Sequence, residues 1–163
     1  MIKILFVCTG NVFRSMTAEK CLKKYLEENN ILNIKANSAG TDLIPQEPNP
    51  YTIERLKFYN IEVNHIPKWI TQNLIETNDL IIAMNFNHQK HIEEKFKIKV
   101  PLFNEVAYEK SEGVLDFHEY KPDIKEIENS EEEFKKFAYY TVDYIRSAIP
   151  EIIKNLPNFI KNH

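Results

Sequence analysis

Glycine is scarce in this 163-residue chain, with three in all, which excludes collagen-like and glycine-rich low-complexity classes and makes each position informative. Cysteine is rarer still. Cys8 and Cys21 are too few for a disulfide-stapled scaffold, so the expectation is a reducing, cytoplasmic setting with free thiols. No apolar run approaches the ~20 residues of a membrane span; Leu80-Ile81-Ile82-Ala83-Met84 is typical. The opening run Ile4-Leu5-Phe6-Val7-Cys8 is too short for a signal-peptide core and has no small-residue cleavage pattern. The chain also lacks a surplus of positive charge, with a net charge of −3, which argues against a broad nucleic-acid-binding face. Neither Gly-x4-Gly-Lys-Ser/Thr nor Gly-x-Gly-x-x-Gly occurs, so nucleotide binding is unsupported. His88 and His91 stand at i, i+3 with no obvious third ligand and read as a solvated helix face, so no metal and no cofactor are expected.

What is present fits one globular domain over 1–163, with 43% hydrophobic and 28% charged residues. Residues 2–7 form an apolar run of strand formers, as expected for a strand buried on both faces. After a loop from Cys8 to Arg14, the stripe Ala18, Cys21, Leu22, Tyr25, Leu26 predicts a helix over 15–28 and makes Cys21 a core thiol. Further strands are expected at 34–38, 79–84 and 99–102. Helices are expected from Pro48 or Pro50 to Tyr59, with Asn60 as its left-handed stop, and over 87–95. Residues 104–129 read as a long loop. Ser130-x-x-Glu133 reads as the capping box of a terminal helix that Pro150 should kink or split. The alternation predicts an α/β doubly wound parallel sheet with helices on both faces. Such folds bind ligands beyond the carboxyl ends of their strands.

The first such loop is Cys8-Thr9-Gly10-Asn11-Val12-Phe13-Arg14-Ser15, a Cys-x5-Arg-Ser pattern between strand and helix. Successive amides of a tight loop converge on phosphate oxygens, and the following helix adds its positive end. Arg14 is one of three arginines in a lysine-rich chain and supplies a planar fork that pairs two oxygens at once. The same field favours the thiolate of Cys8 over the thiol, placing a nucleophile beneath a bound phosphate.

These residues resemble the low-molecular-weight protein tyrosine phosphatases. Cys8, Gly10, Asn11, Arg14 and Ser15 match the family's opening motif, and Ala18-Glu19, Ser38-Ala39-Gly40-Thr41, His65 and Asp79–Met84 extend the likeness over most of the chain. The resemblance implies a four-stranded parallel sheet, order 2-1-3-4. It implies a metal-free, cysteine-dependent phosphatase that hydrolyses phosphotyrosine and other aryl phosphate monoesters through a phosphocysteine. Cys8, Arg14 and an acid would be catalytic. Thr9, Gly10, Asn11, Val12, Phe13, Arg14 and Ser15 would bind the phosphate, and Asn11, Ser15, Ser38 and His65 would hold the loop. The acid is assigned to Asp123 in Tyr120-Lys121-Pro122-Asp123-Ile124, with Asp116 as the backup. The implied partner is a phosphotyrosine protein, with inorganic phosphate as product, no nucleic acid or membrane partner, and a monomeric enzyme.

Departures from the family pattern are also visible. Phe13 stands where many members carry a second, protective cysteine, Asn85 where an aspartate is common, and Leu43 and Ile44 where some have an aromatic rim. Two alternatives remain at this point. One is arsenate reductase chemistry, which needs relay cysteines that only Cys21 is available to supply. The other is a phospho-residue binding module without turnover.

Overall fold

The computed structural model describes residues 1–42, 46–120 and 127–160, and the side chains of 127–129 are outside the description. Strand β1 (Ile2–Cys8) is the centre of a parallel sheet, flanked by β2 (Ile34–Gly40) and β3 (Leu80–Ala83) in the order β2-β1-β3. The register pairs Cys8 with Gly40 and Val7 with Ala83, so three strand ends meet at one edge. Alternate side chains of β1 enter opposite cores. Ile4 and Phe6 pack with Met16, Leu22 and Ile145, while Leu5 and Val7 pack with Ile75, Ile92 and Leu102. This double burial is why β1 reads as an unbroken apolar run.

Seven helices are described: α1 (Arg14–Glu28), α2 (Pro50–Phe58), α3 (Gln72–Thr77), α4 (Phe86–Phe96), α5 (Phe103–Tyr108), α6 (Phe117–Tyr120) and α7 (Ile127–Asn155). Helix α2 ends, as its sequence suggests, before Asn60 at φ 57°. None of these helices is long and apolar enough to cross a membrane.

Four expectations need correction. The strand anticipated at 99–102 is a single parallel bridge, Ala83 to Leu102, beside β3. Pro101 has no amide to offer, and the Leu102 N–H goes to the Glu105 carboxylate at 2.7 Å instead of to a ladder. The stretch read as a loop over 104–129 contains α5 and α6, and α3 was not anticipated. All three are short helices, of six residues in α3 and α5 and four in α6, too short to show a period, and local side chains cap them, Thr71 for α3 and Asp116 for α6. Helix α7 begins before Ser130, which therefore lies within the helix and not at its cap. It also runs through Pro150 without a break. Ile145, Ala148, Ile149 and Ile152 are buried on either side of the proline. Each large aliphatic contributes about 1.5–3 kcal/mol, which outweighs the ~3 kcal/mol that an internal proline costs.

Candidate active site

The loop between β1 and α1 closes over the end of the sheet. Its return is pinned by the amides of Thr41 and Asp42, which donate to the carbonyls of Cys8 and Thr9 at 2.9 and 3.0 Å. This close approach requires Gly40, because a Cβ there would lie 2.5 Å from the Thr9 carbonyl oxygen. Among the described residues, the amides of Thr9, Gly10, Asn11, Val12 and Phe13 donate to no backbone carbonyl. A loop with its donors uncommitted, leading into the N-terminus of a 15-residue helix, is an anion-binding arrangement.

The left-handed residue of the loop is Asn11, at φ 57°, and not Gly10. Its side chain stabilises that turn from every side. Nδ2 donates to Ser15 Oγ at 3.0 Å and Ser38 Oγ at 2.8 Å, and Oδ1 accepts the Lys68 amide at 3.0 Å. The Asn11 carbonyl accepts from His65 Nε2 at 2.6 Å, so that nitrogen carries the proton. Burial pulls the His65 imidazole below its ordinary pKa, with the Asn11 carbonyl opposing. Ser38 in turn donates its own hydroxyl hydrogen bond to the Glu19 carboxylate. Burial alone would raise the Glu19 carboxyl, but hydrogen bonds from Lys23 and Ser38 outweigh it and hold the pKa below normal. The network thus ends in a paired, buried charge.

Cys8 sits at the bottom, 3% exposed, with Sγ 2.9 Å from Ser15 Oγ. Arg14 is 2% exposed and donates through Nη1 to the Val114 carbonyl at 2.9 Å. Asp116 Oδ2 and Glu119 Oε2 each lie 3.6 Å from the guanidinium. Above the sulfur opens a cleft of about 670 Å³. Val12, Phe13, Phe117 and Phe134 form its apolar walls, and Glu47, Asp116 and His118 are among its polar lining. Phe13 joins an aromatic cluster, with ring centroids 6.4 Å from Phe134 and 6.0 Å from Phe137, which ties the loop to α7.

The structure brings Cys8, Thr9, Gly10, Val12, Phe13 and Arg14 together around one cleft, and Asn11, Ser15, Ser38 and His65 into one network behind it. Asp123, Leu43 and Ile44 lie outside the described residues, whereas Asp116 lines the cleft. His88 is a correction. It is fully buried and not on a solvated face. Its Nδ1 accepts the Asn85 amide at 3.0 Å, so Nε2 carries the proton and donates to Thr9 Oγ1 at 2.9 Å. Burial, with Arg14 and His91 nearby, drops its pKa to about 3. The available signal was its position as the third residue of a helix capped by Asn85, where a side chain turns back to the cap. Glu119 also went unnoticed; the available signal was the capping-box spacing Asp116-x-x-Glu119, in which the Glu119 carboxylate accepts the Asp116 amide. Cys21 is buried in the core, and burial pushes its thiol up to about 12. Among the described residues, no cluster of three or more histidine, cysteine or acidic side chains is placed to hold a metal.

A family model described as low molecular weight phosphotyrosine protein phosphatase matches residues 3–158. The protein-arginine-phosphatase of Bacillus subtilis (strain 168) is 37% identical over 94 residues, which span 57% of this chain and 62% of that relative. A low molecular weight phosphotyrosine protein phosphatase of Saccharomyces cerevisiae is 29% identical over 156 residues, 91% of this chain and 96% of the relative. Among solved structures, a mutant of YwlE from Bacillus subtilis has a TM-score of 0.79 at 28% identity, covering 96% of this chain and 99% of that one.

Proposed function

Because the chain belongs to the low molecular weight phosphotyrosine protein phosphatase family, we propose that it hydrolyses phosphotyrosine in proteins, and other aryl phosphate monoesters, through a phosphocysteine on Cys8. The observation that carries this reading is the Cys8 sulfur seated 2.9 Å from Ser15 Oγ at the floor of a loop with uncommitted amides, beside the buried Arg14.

The loop amides and the Arg14 fork cradle the three non-bridging oxygens. The Cys8 thiolate attacks phosphorus, the S–P bond forms and the P–O bond to the aryl group breaks. The transition state is loose, so the fixed donors stabilise it mainly by position and charge. Asp116 gives its proton to the departing phenoxide, then as carboxylate takes a proton from the water that attacks the phosphocysteine. The S–P bond breaks, inorganic phosphate leaves, and the Ser15 hydroxyl stabilises the returning thiolate. We assign the acid to Asp116 because it lines the cleft, 3.6 Å from Arg14; Asp123 is the competing assignment. The loop is held by Asn11, Ser15, Ser38 and His65. No metal takes part in these steps. A monomer acting in the cytoplasm completes the proposal.

The Val12, Phe117 and Phe134 walls suit a flat apolar ring, which supports an aryl substrate, and a carboxyl group, Asp116, in the same cleft as the Cys8 sulfur favours turnover over a binding module. Cys21, deep in the core, is unsuited to a disulfide relay, which weighs against arsenate reduction. The Bacillus subtilis likeness favours one second reading, phosphoarginine, whose P–N bond the same thiolate would cleave. Rapid-quench trapping with labelled phosphotyrosine and with phosphoarginine, followed by mapping of the labelled residue, tests both. Label on Cys8 from phosphotyrosine is expected. Label from phosphoarginine alone would replace the aryl reading, and no label from either would end both.

A further inference from the structure

One carboxylate oxygen outside the expected set of site residues gathers three partners. Glu119 Oε2, on α6, accepts the Asp116 amide at 2.7 Å and Asn85 Nδ2 at 3.1 Å, and it lies 3.6 Å from Arg14 Nη1. The three partners belong to different parts of the site: Asp116 to the acid-bearing segment, Asn85 to the end of β3, and Arg14 to the phosphate clamp. The surrounding backbone is stitched in the same place. The Val114 amide donates to the Met84 carbonyl at 2.7 Å, while the Val114 carbonyl accepts from Arg14. A Cβ on Gly113 would fall 1.8 Å from Asn85 Oδ1, so the segment is pressed onto Asn85. Asn85 Oδ1 is engaged by the Phe86 amide at 2.8 Å, which leaves its NH2 group to face Glu119.

We propose that Glu119 is a positioning residue that couples the Arg14 clamp to the segment carrying the proton donor Asp116. This rests on the phosphatase reading above. A cap for α6 alone needs only an acceptor for the Asp116 N–H. The negative charge beside Arg14, and the amide of Asn85 aimed at it, are what the capping role leaves unexplained. With the charge present, the guanidinium and the Asp116 backbone are referred to the same oxygen. Without it, the phosphate is still held by the loop, but the acid is no longer registered to the leaving oxygen. The loss must therefore appear chiefly where protonation of the leaving group limits the rate.

The test uses the full chain, with phenyl phosphate as the poor-leaving-group ester and 4-nitrophenyl phosphate as the activated one, and with inorganic phosphate as the binding probe. Glu119→Gln keeps an acceptor for the Asp116 amide and removes only the charge. Its kcat on phenyl phosphate is expected to fall about 10- to 100-fold, with a distinctly smaller loss on 4-nitrophenyl phosphate and no weakening of phosphate inhibition. Asn85→Asp alone sets two carboxylates against each other and should lose comparable activity. The double variant Asn85→Asp/Glu119→Gln restores one carboxylate and one amide with the donor and acceptor exchanged, and should recover most of the loss. Glu119→Gln with wild-type kinetics on both esters, an equal loss on both, or no recovery in the double variant would each overturn the proposal. If the wild-type chain releases phosphate from neither ester, the phosphatase reading falls first and this inference with it; turnover without the predicted pattern removes this inference alone.

Discussion

The two sides of the cleft are built differently. On the phosphate side, Asn11, Ser15, Ser38 and Glu19 are buried and bonded to one another, and the backbone is fixed by His65, Thr41 and Asp42. On the acid side, the Asp116 and Glu119 side chains are 40% and 35% exposed. They are held by the Arg14–Val114 bond, one carboxylate and the contact of Phe117 with Phe134 at 5.1 Å. Charge stabilisation works only if its dipoles are in place before the reaction, so reorganisation must be frozen out of the loop. A proton donor must admit different leaving groups and let phosphate out, and segments with that duty come from the less stable end of a fold.

The largest expected break lies on the phosphate side. Cys8→Ser removes the thiolate and leaves the cradle intact, so turnover should fall by about 10⁵-fold or more while phosphate binding persists. Calorimetric titration with phosphate and a steady-state assay read the two separately, and turnover by the serine variant within about 100-fold of wild type would remove Cys8 from its role. Across the cleft, Asp116→Asn should cost about 10²- to 10³-fold in kcat on phenyl phosphate and much less on 4-nitrophenyl phosphate. Asparagine still caps α6, so the stability of this variant should stay within about 0.5 kcal/mol of wild type. Asp123→Asn is the paired control: a larger leaving-group effect there would transfer the acid to Asp123.

The same division explains what could be read from the amino-acid order. The phosphate side is local. Cys8 to Ser15 are contiguous, and their residue types follow directly from what an anion needs. The partners Ser38 and His65 came only with the family likeness, since a serine and a histidine at those separations carry no signal of their own. The acid side is assembled from chain segments far apart. Glu119 meets Asn85 and Arg14 through a fold contact, and no period or motif announces such a meeting. His88 was misread for a related reason. Its helix is polar, and the one buried position in that turn is fixed by the reach of its imidazole to Thr9 and not by any hydrophobic pattern. The fourth strand failed on a matter of hydrogen-bond supply, because apolar residues at 100 and 102 looked like a ladder while Pro101 and Glu105 withheld the donors.

A smaller effect, on stability more than chemistry, sharpens the contrast. Asn11→Ala leaves Ser15, Ser38 and the Lys68 amide without their partner in a buried setting and puts alanine at a positive φ. A loss of about 2–4 kcal/mol is expected, together with reduced kcat on both esters, since the loop serves every substrate alike. Urea unfolding followed by tryptophan fluorescence measures the first, and a stability within about 0.5 kcal/mol of wild type would show that the loop is not the over-determined half of the site.

The smallest predicted effect concerns His88, which joins the phosphate loop to the end of β3 through Thr9. Its pKa is about 3 in the folded chain, because burial disfavours the imidazolium, against an ordinary 6.5 when unfolded. The unfolded state therefore binds more protons between these values, and stability falls as pH drops through that window. From pH 7 to pH 5 the single group removes about 2 kcal/mol. His65, also lowered by burial, acts in the same direction. In His88→Gln the amide nitrogen can still donate to Thr9, but no proton is taken up, so the acid limb of the stability profile should flatten by about that 2 kcal/mol. Urea midpoints at pH 7, 6 and 5 for the two proteins give the difference directly. Parallel profiles would mean that His88 titrates normally and would overturn the argument from its burial against Thr9 and Asn85.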